Sequence, residues 1–181
     1  MSFRRLPTEI EGVVLIEPDV HGDERGFFVE TFRESELAEL GIDVHFVQDN
    51  HSRSAARVLR GIHLQAGQAK LVRCPRGRIF DVAVDLRPAS ATYRRWEGHE
   101  LDDVSHRQLF IPEGFGHGFC VLSDSADVLY RVSSYYDPEL ETGIAWDEPE
   151  IGVNWPISDP VLSDRDRDAP RLAEVASGPR G

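Results

Sequence analysis

Short runs of alternating apolar and polar residues fill most of this chain. Residues 12–18, GVVLIEP, read as a first strand that a proline ends. The turn Asp23-Glu24-Arg25-Gly26 follows, its glycine free to take a positive φ. The strand after it sets Phe28 and Glu30 on one face and Phe27, Val29 and Thr31 on the other. ESELAEL, residues 34–40, has a helical period with Gly41 as its stop. Residues 44–50 return to a strand period, with Phe46, Gln48 and Asn50 on one face. Two amides side by side there read either as the wall of a polar cavity or as a solvated row. Phe80, Val82, Val84 and Leu86 point one way, and Asp81, Ala83 and Asp85 the other. Tyr93–Leu101, Gln108–Ile111 and Asp127–Tyr136 also read as strands, and residues 148–156, EPEIGVNWP, as a covering loop. The tail from Leu162 is polar, and its Pro-Gly finish is expected to fray.

About eight to ten short strands with turn signals between them, one short helix and no internal repeat predict an all-β sandwich or barrel. The 181 residues suit one domain over 1–181. Within it, an N-terminal strand or arm takes about 1–18 and a loop-rich tail about 157–181.

Composition narrows the function. An apolar share of 40%, with three Trp and nine Phe, is that of a packed core and not of a disordered chain. The net charge of −12 argues against nucleic-acid binding, which needs a basic face. It leaves room for a phosphate-bearing small ligand held by a local arginine cluster. No run approaches the roughly 20 apolar residues of a membrane span, and no secretory signal is visible, so a cytoplasmic protein is expected. Cys74 and Cys120 lack the spacing of a zinc site and read as buried free thiols.

The candidate chemistry centres on residues 57–87, RVLRGIHLQAGQAKLVRCPRGRIFDVAVDLR. This stretch holds the only lysine of the chain, Lys70, seven residues after His63. A histidine and an amine facing one cavity could remove a proton and hold the negative charge left behind. Taken singly, His63 also reads as a hydrogen-bonded core histidine and Lys70 as a solvated loop residue.

Glycine-rich turns, short strands and two histidines in sequence order resemble a cupin jelly roll. Many cupins bind a metal through a His-x-His pair and a Glu on one motif and a His on a second, Pro-x-Gly-x-x-His. Here the second motif is present and ends in His117, but the first reads His63-Leu64-Gln65. Lys70 stands where a glutamate ligand would follow, and a protonated amine cannot ligate a cation. Two histidines are too few for a well-held site, so a metal-free pocket is expected.

Several motifs occur together in a specific order. They are Asp-x-Arg-Gly-x-Phe-x-Glu (23–30), Gln-x-Asn-x-Ser (48–52), Leu-Arg-Gly-Ile-His (59–63), Gln-x-Lys (68–70) and Asp-Val-Ala-Val-Asp-Leu-Arg (81–87). Ile-Pro-x-Gly-Phe-x-His-Gly-Phe (111–119), Trp-Pro (155–156) and Leu-Ser-x-x-Asp (162–166) complete the set. With them the chain resembles the dTDP-4-dehydrorhamnose 3,5-epimerases from about Gly12 to Asp168.

The resemblance implies a cupin-type double-stranded β-helix with short peripheral helices, assembled as a homodimer and using no cofactor. Its substrate would be a dTDP-linked 4-keto-6-deoxy sugar, inverted at the two carbons flanking the ketone. Carried over by residue, His63 is the base, oriented by Asp166; Lys70 lies near the ketone oxygen, and Tyr130 is the acid. Arg25, Glu30, Gln48, Asn50, Arg60, His117 and Glu141 fall on nucleotide-sugar contacts, and Tyr136 on the thymine-stacking position. Arg165 sits where the family often has lysine. Two features depart from the pattern. The link from His63 to Lys70 is shorter than usual, which bears on which carbon is inverted. Arg60 and His63 have opposite parity on one strand, and a bulge at Gly61 would realign them. The alternatives are an epimerase acting at one carbon, a ketoisomerase, a non-catalytic sugar-binding cupin and a metal-dependent cupin oxygenase.

Overall fold

The computed structural model describes residues 2–177, so the Pro-Gly finish lies outside the described residues. The strands run β1 (Phe3–Leu6), β2 (Val14–Pro18), β3 (Val20–Asp23), β4 (Gly26–Val29), β5 (Gln48–Ala55), β6 (Leu59–Gln65) and β7 (Lys70–Arg76). They continue as β8 (Arg78–Asp85), β9 (Trp96–Asp102), β10 (Gln108–Ile111), β11 (Phe115–Val121), β12 (Ser125–Val132) and β13 (Glu141–Gly143). Three short helices accompany them, α1 (Glu34–Glu39), α2 (Asp164–Arg167) and α3 (Leu172–Ser177).

Two antiparallel sheets carry the fold. One has the order β1-β2-β10-β7-β12-β5, and the other β13-β6-β11-β8-β9. Their inner faces share one core, to which β7 gives Val72, β10 gives Leu109, β8 gives Ile79 and Ala83, and β11 gives Phe115 and Phe119. Both outer faces are covered as well. Leu37 of α1 and Ile42 close over Val14, Ile16, Leu71 and Phe110 of the six-stranded sheet. Ile144, Ile151, Trp155 and Leu172 close over Leu59, Val82 and Val84 of the five-stranded sheet. With both faces covered, β10 and β11 are buried at every residue. This is the all-β cupin-type jelly roll with short peripheral helices.

Several boundaries differ from the periodicity. β4 stops at Val29 because its partner β3 begins at Val20; the preceding Asp19 N–H is bonded to Ser2 O instead. Glu30 therefore lies beyond the strand. β12 ends at Val132 and not at Tyr136, because at the next pair Ser133 N–H still bonds Ala69 O but Ala69 N–H goes to Ser133 Oγ at 2.8 Å, which closes the ladder with β7. β9 starts at Trp96, since residues 93–95 are held in turns by Tyr93 N–H to Ser90 O and Arg95 N–H to Thr92 O. The polar tail contains α2 and α3. Ser163 caps the N-terminus of α2, its Oγ accepting from Asp166 N–H at 3.1 Å. Cys74 and Cys120 are free and buried, and burial pushes each thiol up to about 12.

Candidate active site

A cavity of about 380 Å³ opens between the two sheets, and each sheet supplies one wall. Arg60 and His63 reach it from β6, His117 and Phe119 from β11, and Glu141 from β13. From the opposite sheet come Gln48, Asn50 and Ser52 of β5, Lys70 of β7, and Tyr130 and Val132 of β12. Tyr136 and Arg165 line it from the segments after β12 and within α2.

The parity conflict on β6 is resolved by register. His63 pairs with His117 and Arg60 with Phe119, so β6 carries one more residue than β11 between these pairs. That bulge turns both side chains to the cavity. It is built at Gly61, whose φ is +133° and where an added Cβ would lie 2.4 Å from Gly118 Cα. Only glycine fits so close a crossing of two backbones.

His63 is held from behind. Its Nε2 lies 2.7 Å from Oδ1 of Asp166, which is 4% exposed. The same carboxylate accepts from Ser163 Oγ at 2.7 Å and Gly61 N–H at 3.3 Å. Burial raises the Asp166 carboxyl, but these donors outweigh it and hold the group below its ordinary range. An ionised carboxylate accepts only, so His63 Nε2 carries the proton and Nδ1 is left as the free base nitrogen. His117 is treated alike: its Nε2 lies 2.8 Å from Oδ1 of the fully buried Asp81, whose Oδ2 has no hydrogen-bond partner among the described residues.

Lys70 is 8% exposed and, among the described residues, its side-chain amine has no hydrogen-bond or ion-pair partner. Burial pulls its amine down to about 8, opposed by the charges of Glu141 and Asp81 and assisted by Arg165. Tyr130 is raised by burial first and by Glu141 second. Glu141 ties the rim together, accepting from Tyr136 Oη at 2.9 Å and from Arg165 at 2.8 Å. Arg60 Nε donates to Ser54 Oγ at 3.1 Å. Lys70, Arg60 and Arg165 make the cavity locally cationic in an acidic protein.

Arg25 and Glu30 are not brought to this cavity. Arg25 lies at the β3–β4 turn, paired with Asp23, and Glu30 pairs with Arg33 at 2.6 Å. The hairpin forms a separate two-stranded sheet, which is why the motif of residues 23–30 stands apart within one chain. Among the described residues, no group of three or more His, Cys, Asp or Glu converges as a metal site would require. Asp81, Ser54, Ser163 and Gln68 also line or support the site, though none is a candidate from the sequence alone. The period-2 row Gln48, Asn50, Ser52, Ser54 carried the signal for Ser54. Asp81 gave none, because a carboxylate alternating with apolar residues looks solvated.

Comparison with known proteins agrees with this geometry. The family model described as dTDP-4-dehydrorhamnose 3,5-epimerase matches residues 7–174. The enzyme of that name from Methanothermobacter thermautotrophicus is 50% identical over 178 residues, covering 96% of each chain. A dTDP-4-dehydrorhamnose 3-epimerase from Streptomyces niveus is 47% identical, over 96% of this chain and 86% of that one. The crystal structure of a dTDP-6-deoxy-D-glucose-3,5-epimerase from Legionella pneumophila, in complex with dTDP-4-keto-L-rhamnose, superposes with a TM-score of 0.91. It is 45% identical, over 94% of this chain and 93% of that one. With the site motifs in one cavity and similarity along nearly its whole length, the chain belongs to the dTDP-4-dehydrorhamnose 3,5-epimerase family and is an isomerase.

Proposed function

We propose that the protein inverts C3 and C5 of dTDP-4-dehydro-6-deoxy-D-glucose through enolate intermediates, giving dTDP-4-dehydro-L-rhamnose. The observation that carries this reading is the facing pair of walls: His63 with its buried Asp166 on one sheet, Lys70 and Tyr130 on the other.

The chemistry follows from these groups. Each target C–H lies next to the C4 ketone. His63 Nδ1 takes its proton, and the C–H electron pair moves into the carbonyl to leave an enolate oxygen. Lys70 has no competing partner and directs its ammonium charge to that oxygen; one such donor is worth roughly 3–4 kcal/mol. Inversion is completed when Tyr130 delivers its hydroxyl proton to the opposite face of the carbon. Exchange with solvent then resets both groups. Arg60 and Arg165 meet the diphosphate oxygens, and Tyr136 is the platform for the thymine. Gln48, Asn50, His117 and Glu141 contact the nucleotide sugar. No metal or organic cofactor is needed, because the ammonium supplies the charge that a cation would. His63 and His117 each commit Nε2 to a carboxylate.

The active form is read as a homodimer of single-domain, cytoplasmic chains. The β3–β4 hairpin exposes Phe27 at 59% and Phe28 at 60%, beside Arg25 and Glu30, which do not line the cavity of their own chain. A second copy covering this hairpin would bring Arg25 and Glu30 of the partner subunit to the cavity. A second reading, inversion at one carbon, is favoured by the Streptomyces niveus 3-epimerase at 47% identity and by the short β6–β7 link. Incubation with dTDP-4-dehydro-6-deoxy-D-glucose in deuterated buffer separates the two. Deuterium at both C3 and C5 in an L-configured product supports double inversion, and deuterium at one of them refutes it.

A further inference from the structure

Gln65 ends β6 at the place where the first cupin motif would carry its second histidine. Its side chain is 3% exposed and both ends of its amide are used. Nε2 donates to Tyr135 O at 2.9 Å and to Ser134 Oγ at 3.2 Å, while Oε1 accepts from Asp137 N–H at 3.0 Å. The two main-chain groups belong to the peptide units on either side of the Tyr136 Cα. A carboxamide offers a donor and an acceptor together, so Gln65 stands in for a neighbouring strand that this segment lacks.

Other contacts act on the same segment. Gln48 Oε1 accepts from Tyr136 N–H at 3.1 Å. Gln68 Nε2 donates to Ser134 O at 3.0 Å, and Ser133 Oγ accepts from Ala69 N–H at 2.8 Å. The β6–β7 turn itself is closed by Gln68 N–H to Gln65 O at 3.2 Å, with Gly67 at φ +68°. The short turn and residues 133–137 therefore form one hydrogen-bonded unit. On it stands the Tyr136 ring, 54% exposed and tied at its hydroxyl to Glu141. An aromatic ring that exposed has little packing to orient it, so its placement depends on its backbone.

We propose that Gln65 is a positioning residue for nucleotide recognition: it fixes the backbone on both sides of Tyr136, so that the ring stands at the cavity mouth before the ligand arrives. The inference rests on the reading of Tyr136 as the thymine platform. Its energetic basis is preorganisation, since a ring ordered only on binding charges that ordering to the affinity. Gln65 reaches no reacting atom, so its loss acts on binding and not on proton transfer.

A double-mutant cycle on the full chain tests this, with dTDP as the calorimetric probe and circular dichroism to confirm the fold. Gln65→Met is expected to weaken dTDP binding by about tenfold, the scale of one or two lost hydrogen bonds. KM should rise in step, with kcat kept within about threefold of wild type. In a Tyr136→Ala background the same change should weaken dTDP by less than about twofold, because the group through which it acts is gone. Gln65→Glu keeps the shape and the acceptor but loses the donor to Tyr135 O; it should repeat the pattern and serves if the Met variant does not fold. Wild-type dTDP affinity in the Gln65 variants, an equal loss with and without the Tyr136 ring, or a fall in kcat at constant KM would each overturn the inference alone. Tyr136→Ala binding dTDP as tightly as wild type would refute the platform reading, and the inference with it.

Discussion

Asp166 holds Nε2 of His63 at 2.7 Å while Ser163 and Gly61 occupy the remaining faces of its carboxylate. This arrangement sets a tautomer as well as a position. Asp166→Asn would keep the shape, but its amide N–H turned to Nε2 would make that nitrogen the acceptor and place the proton on Nδ1. The base would then be blocked. The expected result is a loss of kcat of about 10²–10⁴-fold with KM little changed. Steady-state kinetics on the folded variant checks it.

Lys70 gives the reaction an alkaline limit. Its ammonium is the form that stabilises an enolate, and burial has brought its pKa down to about 8. Activity should therefore be present below about pH 8 and fall as pH rises through that value. The negative charge of Asp81 works against the burial and raises the Lys70 pKa. Asp81→Asn removes that charge, so the falling limb should move to lower pH. Lys70→Ala should lower turnover by at least about a hundredfold, and Lys70→Arg should not fully restore it, because a planar fork is larger and spreads its charge. A pH–rate profile of wild type and Asp81→Asn reads the shift directly.

Much of this was legible in the sequence, for physical reasons that particular residues show. Lys70 and His63 stood out because an amine and an imidazole bracketed by apolar strand residues have few structural uses. α1 was found to within a residue, because ESELAEL has a 3.6-residue period and a glycine stop. What failed was whatever depends on distant partners. Asp81 alternates with apolar residues along its strand, yet it is fully buried, and the partner of its Oδ1 is His117, 36 residues on. The end of β12 at Val132 is set by Ala69, and the end of β4 by where β3 can still pair. The separation of Arg25 and Glu30 from the cavity had no local signal either, since their motif is intact and only the position of the hairpin sets them apart.

The homodimer reading has a sharp consequence. Lys70→Ala and Arg25→Ala should each be nearly inactive alone. If Arg25 serves the partner's cavity, subunit exchange in a mixture joins a wild-type Lys70 to a wild-type Arg25 in one site. Random pairing should restore up to about one site in four. Activity that stays at the sum of the two separate variants would place Arg25 in its own chain's site or outside any site. Sedimentation velocity should give a species of twice the chain mass.

The central claim is that His63 and Tyr130 act on opposite faces of the sugar. They come from facing sheets, and the claim is tested most directly by proton magnetic resonance of substrate incubated in deuterated water with Tyr130→Phe. The base and Lys70 remain in that variant, so the enolate still forms, the proton on His63 exchanges with solvent, and a deuteron returns to the face it left. The account predicts deuterium in the substrate with its original configuration largely kept. In the companion variant His63→Ala, neither label nor inversion should appear. Normal inversion by Tyr130→Phe, or rapid labelling by His63→Ala, would contradict it.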